Sequence, residues 1–377
     1  MVIFRIVFFV FILICNSGFS QTIDSRIVKT AVPFLLIVND ARSSAMGEAG
    51  TSTAMDVNAV FWNPAALIRI ADYNQVSVNY SPLLTYLNAN AHLFSSAYAW
   101  KINNRNTLGA SFQYFTTGKQ SYTDDNNNLL TVFTPSEFAF SVSYAKKMGE
   151  EFSLGTSLRF IYSGLYGSIS ENQTISAGSA LAGDVAFAYN HKEDENAVNV
   201  GLVISNIGAR MSYFKNGSQE FLPTILRFGV SATRTLTDLV ILTVAGEAKK
   251  LLVPTPPLLD NNGELLAGRS LERSVVSSIF GSFSDAPGGI KEELREINRC
   301  IGAELKIGSV LAARAGYSFE HLSKGGYSFV STGFGTSFKN ANFDVSYTFP
   351  QANKLTNTFR ISVQYSFQRK NANIQGK

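Results

Sequence analysis

Charged residues are scarce in this sequence. Asp, Glu, Lys and Arg make up 16% of its 377 residues, against roughly 25% in an ordinary soluble domain. The net charge is only +4, and the basic residues form no stripe interleaved with aromatics, so nucleic acid is not expected as a partner. Apolar runs are short as well, because none approaches the roughly 20 residues of a membrane-spanning helix.

Cysteine and histidine are also rare, with two and three copies. Cys300 stands alone once an export signal containing Cys15 is removed, which excludes an intramolecular disulfide and a cysteine metal cluster. The histidines, at 92, 191 and 321, form neither a metal pair at helical spacing nor a pairing with a nucleophile. The acidic stretches "HKEDEN" and "TDDNNN" could bind a cation, but turn-forming residues explain them equally well. We therefore predict no catalytic residue, no metal and no cofactor.

The N-terminus has the pattern of an export signal. Arg5 precedes the apolar run 6–15, and Gly18 and Ser20 are the small residues expected before a cleavage site. The run is too short to be a membrane anchor. We predict that residues 1–20 are a signal peptide.

What the sequence does have is aromatic residues. They make up 12% of the chain, with 29 Phe and 15 Tyr, while the hydrophobic share is 45% and the mean hydropathy only +0.06. A transmembrane β-barrel has this composition, because one face of each strand is apolar and the other polar, and the two cancel in any average.

Apolar and polar residues alternate with the period of a β-strand. In "FRISVQYSF", Phe359, Ile361 and Val363 point one way, and Arg360 and Ser362 point the other. The segments "NFDVSYTF" and "EFAFSVSYA" repeat the pattern. A soluble β-sandwich also alternates, but it has no reason to collect aromatic residues near strand ends or to alternate its loop lengths, as this chain does.

About fourteen strands follow from this pattern, an even number suited to a closed antiparallel barrel. They are predicted at 74–82, 91–102, 107–117, 135–146, 152–164, 177–190, 197–205, 223–233, 239–251, 299–307, 310–319, 326–338, 341–350 and 356–367. Short links alternate with mostly long ones, of which 252–298 is the longest. Short turns face the periplasm in outer-membrane barrels, so both termini are predicted to be periplasmic. The barrel would span 74–367 and be followed by a periplasmic tail at 368–377.

Residues 21–73 alternate too poorly to be barrel strands, and we predict that they form a plug inside or beneath the barrel. Their stretch "AMGEAGTSTAMDVNAVFWNPAAL" is rich in glycine, but no Gly-Lys-Ser/Thr follows, so it is not a phosphate-binding loop. Glycine would instead let the backbone run close to an enclosing wall. The residues predicted to build the plug are Gly47, Gly50, Phe61, Trp62, Asn63 and Pro64.

The same stretch resembles the N-terminal hatch of the fatty-acid-transporter (FadL-like) superfamily of outer-membrane barrels, which ends in Asn-Pro-Ala. Within that superfamily the chain resembles the PorV (LptO) family of the type IX secretion system of Bacteroidetes. The resemblance rests on Thr30 to Leu67, on "KKLLVPTPPLLDNNGELLAG" with "SIFGSFSDAPGGIKEELREI", and on the C-terminal strands. These blocks cover roughly half of the chain.

The resemblance implies a non-enzymatic outer-membrane protein that lies among lipid and lipopolysaccharide. Members of the family bind the C-terminal signal domains of secreted cargo, collect cargo at the SprA (Sov) translocon and deliver it to the attachment complex that contains the PorU sortase. The alternative is a FadL-type transporter of hydrophobic small molecules.

The loop 252–298 is the predicted partner-binding element, because connections beyond about fifteen residues are usually functional. It contains a proline-rich segment and a predicted helix from Ile290 to Ile297. A self-packed lid over the barrel is the other interpretation, and the two are compatible. The candidate residues are Pro254, Pro256, Pro257, Phe280, Phe283, Asp285, Pro287 and Gly288.

Overall fold

The structure is a computed structural model that describes residues 26–71, 74–83, 90–123, 128–165, 177–213, 219–351 and 358–367. The predicted signal peptide (1–20) and C-terminal tail (368–377) lie outside the described residues. None of the helices in the described part of the chain is long and apolar enough to cross a membrane.

Strands make up most of the described chain. In chain order they are β1 (Asn74–Leu83), β2 (Ala91–Asn103), β3 (Asn106–Thr116), β4 (Gln120–Thr123), β5 (Leu129–Phe133), β6 (Ser136–Lys147), β7 (Phe152–Gly164), β8 (Gly178–Glu193), β9 (Asn196–Gly208), β10 (Ile225–Thr237), β11 (Val240–Leu251), β12 (Leu258–Leu259), β13 (Leu265–Ala267), β14 (Asn298–Ile307), β15 (Leu311–Phe319), β16 (Phe329–Phe338), β17 (Ala341–Pro350) and β18 (Thr358–Phe367).

Fourteen of these strands close into one antiparallel barrel, and the other four form two loop hairpins, β4 with β5 and β12 with β13. Each barrel strand pairs with the barrel strands before and after it in the chain, and β1 closes the barrel against β18 with Val78 opposite Val363. The predicted fourteen-stranded barrel is confirmed. Strand limits shift by a few residues: the strand predicted at 326–338, for example, begins at Phe329.

The outer face of the barrel wall is apolar and the inner face is polar. In β18 the side chains of Phe359 and Ile361 are exposed, while those of Arg360 and Ser362 are buried. The other barrel strands follow the same rule, which reverses the arrangement of a soluble barrel. A wall of this kind is stable when hydrocarbon surrounds it.

The two ends of the barrel differ in their connections. Six short turns lie at one end, the short-turn end, between β2 and β3, β6 and β7, β8 and β9, β10 and β11, β14 and β15, and β16 and β17. The start of β1 and the end of β18 lie there too, since Asn74 pairs with Phe367. The longer connections, including both hairpins, lie at the opposite, long-loop end.

The N-terminal segment (residues 26–71) runs through the barrel from one end to the other. The Arg26 N–H donates to the carbonyl of Ser323 at the long-loop end (3.1 Å), whereas Arg69 reaches the carbonyl of Glu151 at the short-turn end (2.6 Å). The sequence-based interpretation places both termini at the short-turn end. Phe367 lies at that end, whereas Arg26 lies at the long-loop end, because the segment threads the whole length of the barrel; the N-terminus itself lies outside the described residues.

Short helices interrupt the N-terminal segment and the long loop (residues 252–298). They are α1 (Ala41–Ala45), α2 (Ala59–Trp62), α3 (Val275–Gly281) and α4 (Ile290–Arg295), with 3-10 turns at Pro33–Leu36, Pro64–Arg69 and Leu322–Lys324. The predicted helix from Ile290 to Ile297 is present and ends two residues earlier. The helix α3 was not predicted.

Candidate partner-binding surface

A buried ionic network fastens the long loop to the barrel. Lys324 Nζ lies 2.6 Å from Glu292 Oε1 and 2.8 Å from Glu296 Oε1. Lys250 Nζ lies 3.0 Å from Glu293 Oε2 and 2.5 Å from Glu296 Oε2. Lys250 belongs to β11 and Lys324 to the connection between β15 and β16, so the loop is held at two places on the rim. We call these five residues the lysine latch.

Backbone and N-terminal groups reinforce the lysine latch. The Gly288 N–H donates to Glu292 Oε2 (2.7 Å), and the Ala286 N–H donates to Glu293 Oε1 (2.9 Å). Arg26 adds a second cation to Glu292, with its Nε at 3.1 Å from Oε1. The start of the described chain, the long loop and the rim are therefore joined at one point.

The electrostatics of the latch favour ionised glutamates. Burial alone would raise the pKa of Glu292, but hydrogen bonds from Lys324 and the Gly288 backbone outweigh it, and the pKa lies below its usual value. The pKa of Glu296 is lowered against the same burial by hydrogen bonds from Lys250 and Lys324. Asp285 differs, because burial and the neighbouring Glu293 raise its pKa.

Each of the two loop helices buries some of its polar residues and exposes some of its apolar residues. In α4, Glu292 and Glu293 are buried, while Ile290 is 80% exposed and Leu294 is also exposed. In α3, Ser278 is buried, while Phe280 is 75% exposed and Val276 is exposed too. A surface helix normally buries its apolar stripe. Together with exposed Phe283, these residues form what we call the docking face (Val276, Phe280, Phe283, Ile290 and Leu294).

The hairpin of β12 and β13 adds more exposed apolar groups to the same loop. All four of its leucines, Leu258, Leu259, Leu265 and Leu266, are exposed. Monomeric soluble surfaces rarely show apolar groups in such numbers, and patches of this kind mark sites of contact with proteins or membranes.

Behind the long loop, the N-terminal segment fills the barrel interior by direct backbone packing. The wall contributes glycines whose missing side chains make room for it. A Cβ on Gly316 of β15 would overlap the Gly47 backbone, and one on Gly155 of β7 would overlap the Ala65 backbone. Gly47 itself has φ +67°, which favours glycine, and its N–H donates to Ser331 Oγ at 3.0 Å.

Buried charges tie the segment to the wall. Arg42 contacts Glu304 with Nε at 2.9 Å from Oε2, and Arg314 contacts the same oxygen at 2.6 Å. Arg314 also pairs with Asp344 at 2.6 Å. Since these residues come from the segment and from β14, β15 and β17, the network fixes the depth of the segment in the barrel.

A cavity of about 560 Å³ remains between the N-terminal segment and the long-loop end. Its apolar lining includes Ile37, Leu83 and Phe115, and its polar lining includes Arg227 and Lys324 of the latch. The long loop and the β15–β16 connection thus lie at the mouth of this cavity.

Comparison with known families decides what kind of barrel this is. Residues 20–258 match the family model described as "Type IX secretion system protein PorV". The chain belongs to the PorV family. As a member of that family it is an outer-membrane component of the type IX secretion system. No curated protein is similar enough in sequence to count as a match.

Solved structures share the fold of this PorV family member at low sequence identity. The Pseudomonas putida toluene transporter TodX is 13% identical with a TM-score of 0.51, covering 86% of this chain and 96% of TodX. A TodX deltaS2S3 mutant is 13% identical with a TM-score of 0.52, and the match covers 88% of this chain and 99% of the mutant. The CymD monoaromatic hydrocarbon channel is 14% identical with a TM-score of 0.51, and the match covers 89% of this chain and 99% of CymD. These likenesses show that the barrel fold is shared, and nothing beyond the fold.

The predicted loop residues of this PorV family member separate into exposed and buried groups. Phe280, Phe283 and Gly288 are exposed, and Pro256, Pro257 and Pro287 are half-buried. Pro254 and Asp285 are buried, so a partner cannot contact them while the loop keeps this conformation. The role of the whole set in binding stays a prediction.

The predicted plug residues lie together in the barrel. Trp62 Nε1 donates to Asp40 Oδ1 at 2.6 Å, and the Arg227 guanidinium lies over the Trp62 ring, 5.2 Å from its centroid. A Cβ on Gly50 would overlap that ring. Asn63 Oδ1 accepts from the Ala65 N–H at 3.1 Å and so caps the turn that Pro64 begins. Phe61 is half-buried beside this cluster.

Sequence reasoning missed several residues that shape the surface. Ile290, Leu294 and Val276 were not among the candidates, and neither were the two latch lysines. The signal was present in "IKEELR", where apolar residues four apart flank two glutamates. Which face is buried depends, however, on the distant Lys250 and Lys324, and a single helix sequence does not contain that information.

The three histidines lie far apart in the described structure. His92 stacks on Tyr80 at the outer wall, with ring centroids 5.9 Å apart. His191 pairs with Glu151 near a short turn, and His321 contacts Ser323 in a loop. Within the described residues, no group of three or more His, Cys, Asp or Glu side chains could hold a metal ion.

Proposed function

We propose that this protein binds the C-terminal signal domain of secreted cargo through the docking face of its long loop, and shuttles cargo from the SprA translocon to the attachment complex that contains PorU. The family membership supplies the secretion system and the outer membrane. The finer role is inferred from the resemblance and from the surface described above.

The observation that carries the proposal is the reversed polarity of α4. Its glutamates occupy the lysine latch, which leaves Ile290 and Leu294 facing away from the barrel. Exposing such side chains to water costs roughly 1.5–3 kcal/mol each relative to burial. A partner that covers them recovers this free energy, and the latch holds the helix ready for it.

The packing of the interior supports a barrel that presents a binding surface rather than one that conducts a solute. We infer that the N-terminal segment acts as the predicted plug, because its backbone touches wall glycines on several strands and its charges are paired to the wall. A solute moving through the barrel would have to displace both kinds of contact.

The competing function is a FadL-type transporter of hydrophobic small molecules. The cavity of about 560 Å³, with its partly apolar lining, is the observation in its favour. The close packing of the segment below the cavity weighs against it, because passage to the short-turn end requires the segment to move.

Capture of a cargo signal domain tests the proposal. The double variant Phe280→Ser/Ile290→Ser removes two exposed apolar groups without touching the latch. Leu129→Ser, at a leucine that is 62% exposed in the hairpin of β4 and β5, is the control. The double variant should lose capture in a pull-down from outer membrane, and the control should keep it, with heat-modifiable barrel migration intact in both. Capture by the double variant at the unmodified level would exclude the docking face.

A further inference from the structure

The short-turn end of the barrel has two unlike halves. The turns near β2 to β9 carry mainly polar and charged residues: Asn103 to Asn106, Lys146 to Glu151, and His191 to Asn196. The turns from β10 to β17 also expose charged residues (Asp238, Lys306 and Lys339), but in addition they expose six apolar side chains. We call these six the apolar rim: Leu236, Leu239, Ile307, Val310, Leu311 and Phe338.

The residues of the apolar rim belong to one continuous surface. The Gly308 N–H donates to the Leu239 carbonyl at 2.6 Å, which joins the β10–β11 turn to the β14–β15 turn. The Ser337 N–H donates to the Val310 carbonyl at 2.8 Å, which joins the β14–β15 turn to the β16–β17 strands. Leu239 and Phe338, at its two ends, are both 66% exposed.

In β14 to β17 the surface continues the lipid-facing wall, whereas in β10 the outward residue before Leu236 is the exposed Arg234. Ile307, Leu311 and Phe338 lie on the outward side of their strands, directly beyond the outward residues Leu305 and Phe343. On the opposite half, β2 also ends on an outward apolar residue, Ile102, but β6 and β8 end differently. Lys146 follows Tyr144 in β6, and His191 follows Tyr189 in β8.

Strand length separates only part of the rim from the other half, because the rim strands β10 and β11 have 13 and 12 residues. The strands β14 to β17 have 10, 9, 10 and 10 residues, whereas β7, β8 and β9 have 13, 16 and 13. A tilted strand needs about 9–11 residues to cross the hydrocarbon core. Strands as short as β14 to β17 have no length to spare, so their turns lie at the membrane interface.

We propose that the apolar rim is inserted into the periplasmic leaflet of the membrane, at the level of the lipid headgroups, while the charged turns of the other half stand in the aqueous periplasm. The occupant of the rim is lipid, because in β14 to β17 the rim is continuous with the lipid-facing wall and those strands just match the bilayer thickness. Apolar residues at turn tips are then covered, and charged turns stay hydrated.

Site-specific fluorescence in vesicles tests this placement. The full mature chain with Leu239→Cys or Val310→Cys is labelled with an environment-sensitive fluorophore and reconstituted into phosphatidylcholine vesicles. Asn104→Cys and Glu195→Cys are the matched controls in the charged turns. The native Cys300 is buried, and the unsubstituted protein measures its background labelling. Quenching is measured with spin-labelled lipid and with iodide on both sides of the membrane, after heat-modifiable migration has shown that each variant folds.

The labels at 239 and 310 should lose fluorescence with spin-labelled lipid and resist iodide, and the labels at 104 and 195 should do the reverse. Iodide quenching at 239 and 310 equal to that of the controls overturns the proposal, because the rim would then be in water. Protection from both quenchers that disappears as the protein is diluted in lipid also overturns it, since a second copy of the chain would be the occupant.

Discussion

The substitution Lys324→Met should release the long loop from the barrel rim. Lys324 Nζ contacts Glu292 at 2.6 Å and Glu296 at 2.8 Å, and its side chain is only 4% exposed. Methionine has a similar length and no charge, so the change removes the ion pairs while leaving most of the packing.

The magnitude follows from the burial of the network. Removing one partner of a buried ion pair costs about 3–5 kcal/mol, because the other charge stays buried and uncompensated. Lys250 and Arg26 still neutralise part of the charge on Glu296 and Glu292, so we expect the lower end, about 3 kcal/mol. Since each 1.4 kcal/mol is a factor of ten, the open loop should become roughly 100-fold more populated.

Amide hydrogen exchange of residues 285–296 in the reconstituted barrel measures this opening. Lys291→Met, an exposed lysine on the same helix, is the matched control and should change exchange little. If Lys324→Met leaves the exchange rates of α4 within about threefold of the unsubstituted protein, the latch does not hold the loop, and the buried-pair reasoning fails.

Three further outcomes are expected. Gly316→Val should destabilise the barrel or displace the N-terminal segment, because even a Cβ would overlap the Gly47 backbone. Proteolysis of the segment and the heat-modifiable shift of the barrel measure these effects. Resistance to protease equal to that of the unsubstituted protein would refute the close packing. Acidification should loosen the loop, because the pKa values of Glu292 and Glu296 are lowered in the fold. The two ionised glutamates stabilise the closed loop fully above the ordinary glutamate pKa of about 4.3. This stabilisation is lost as the pH falls through the lowered pKa values. Protease cleavage of the loop should rise in that window, and an unchanged rate down to the lowest pH at which the barrel stays folded would contradict the assignment.

Removing the charge of Asp285 should not favour opening of the loop, whereas breaking the latch should favour it. Its pKa is raised by burial and by Glu293, so ionised Asp285 opposes the folded loop at neutral pH. Asp285→Asn should therefore leave hydrogen exchange of α4 unchanged or slower. Faster exchange would indicate that the carboxylate is needed in its ionised form.

The barrel could be predicted from the sequence because the patterns that determine it lie in short, local stretches of the chain. Alternation with period two sets the face of each side chain, and Phe359 against Arg360 can be assigned without any knowledge of neighbouring strands. Polar short turns such as Asn103 to Asn106 mark where strands end. Strand number, the closed antiparallel fold and the alternation of loop lengths follow from these two signals.

The structures of the interior and of the long loop were harder to predict from the sequence, because they depend on contacts between residues that are far apart in the chain. The glycines Gly155 and Gly316 read as ordinary small residues of a polar face, and their purpose appears only when the N-terminal segment lies against them. The hairpins β4–β5 and β12–β13 were missed because each strand is short and needs its partner to form. In α4, two lysines from other parts of the chain decide which face turns outward.

Photocrosslinking in intact cells shows whether the outward face of the long loop binds cargo. A photoreactive amino acid replaces Ile290 in the docking face, or Leu129 in the other exposed hairpin as a control. Position 290 should crosslink to the C-terminal signal domain of a secreted protein, identified by mass spectrometry, and position 129 should not. Crosslinks from 290 to lipid or to this chain alone, in cells that are actively secreting, would contradict cargo binding by this face.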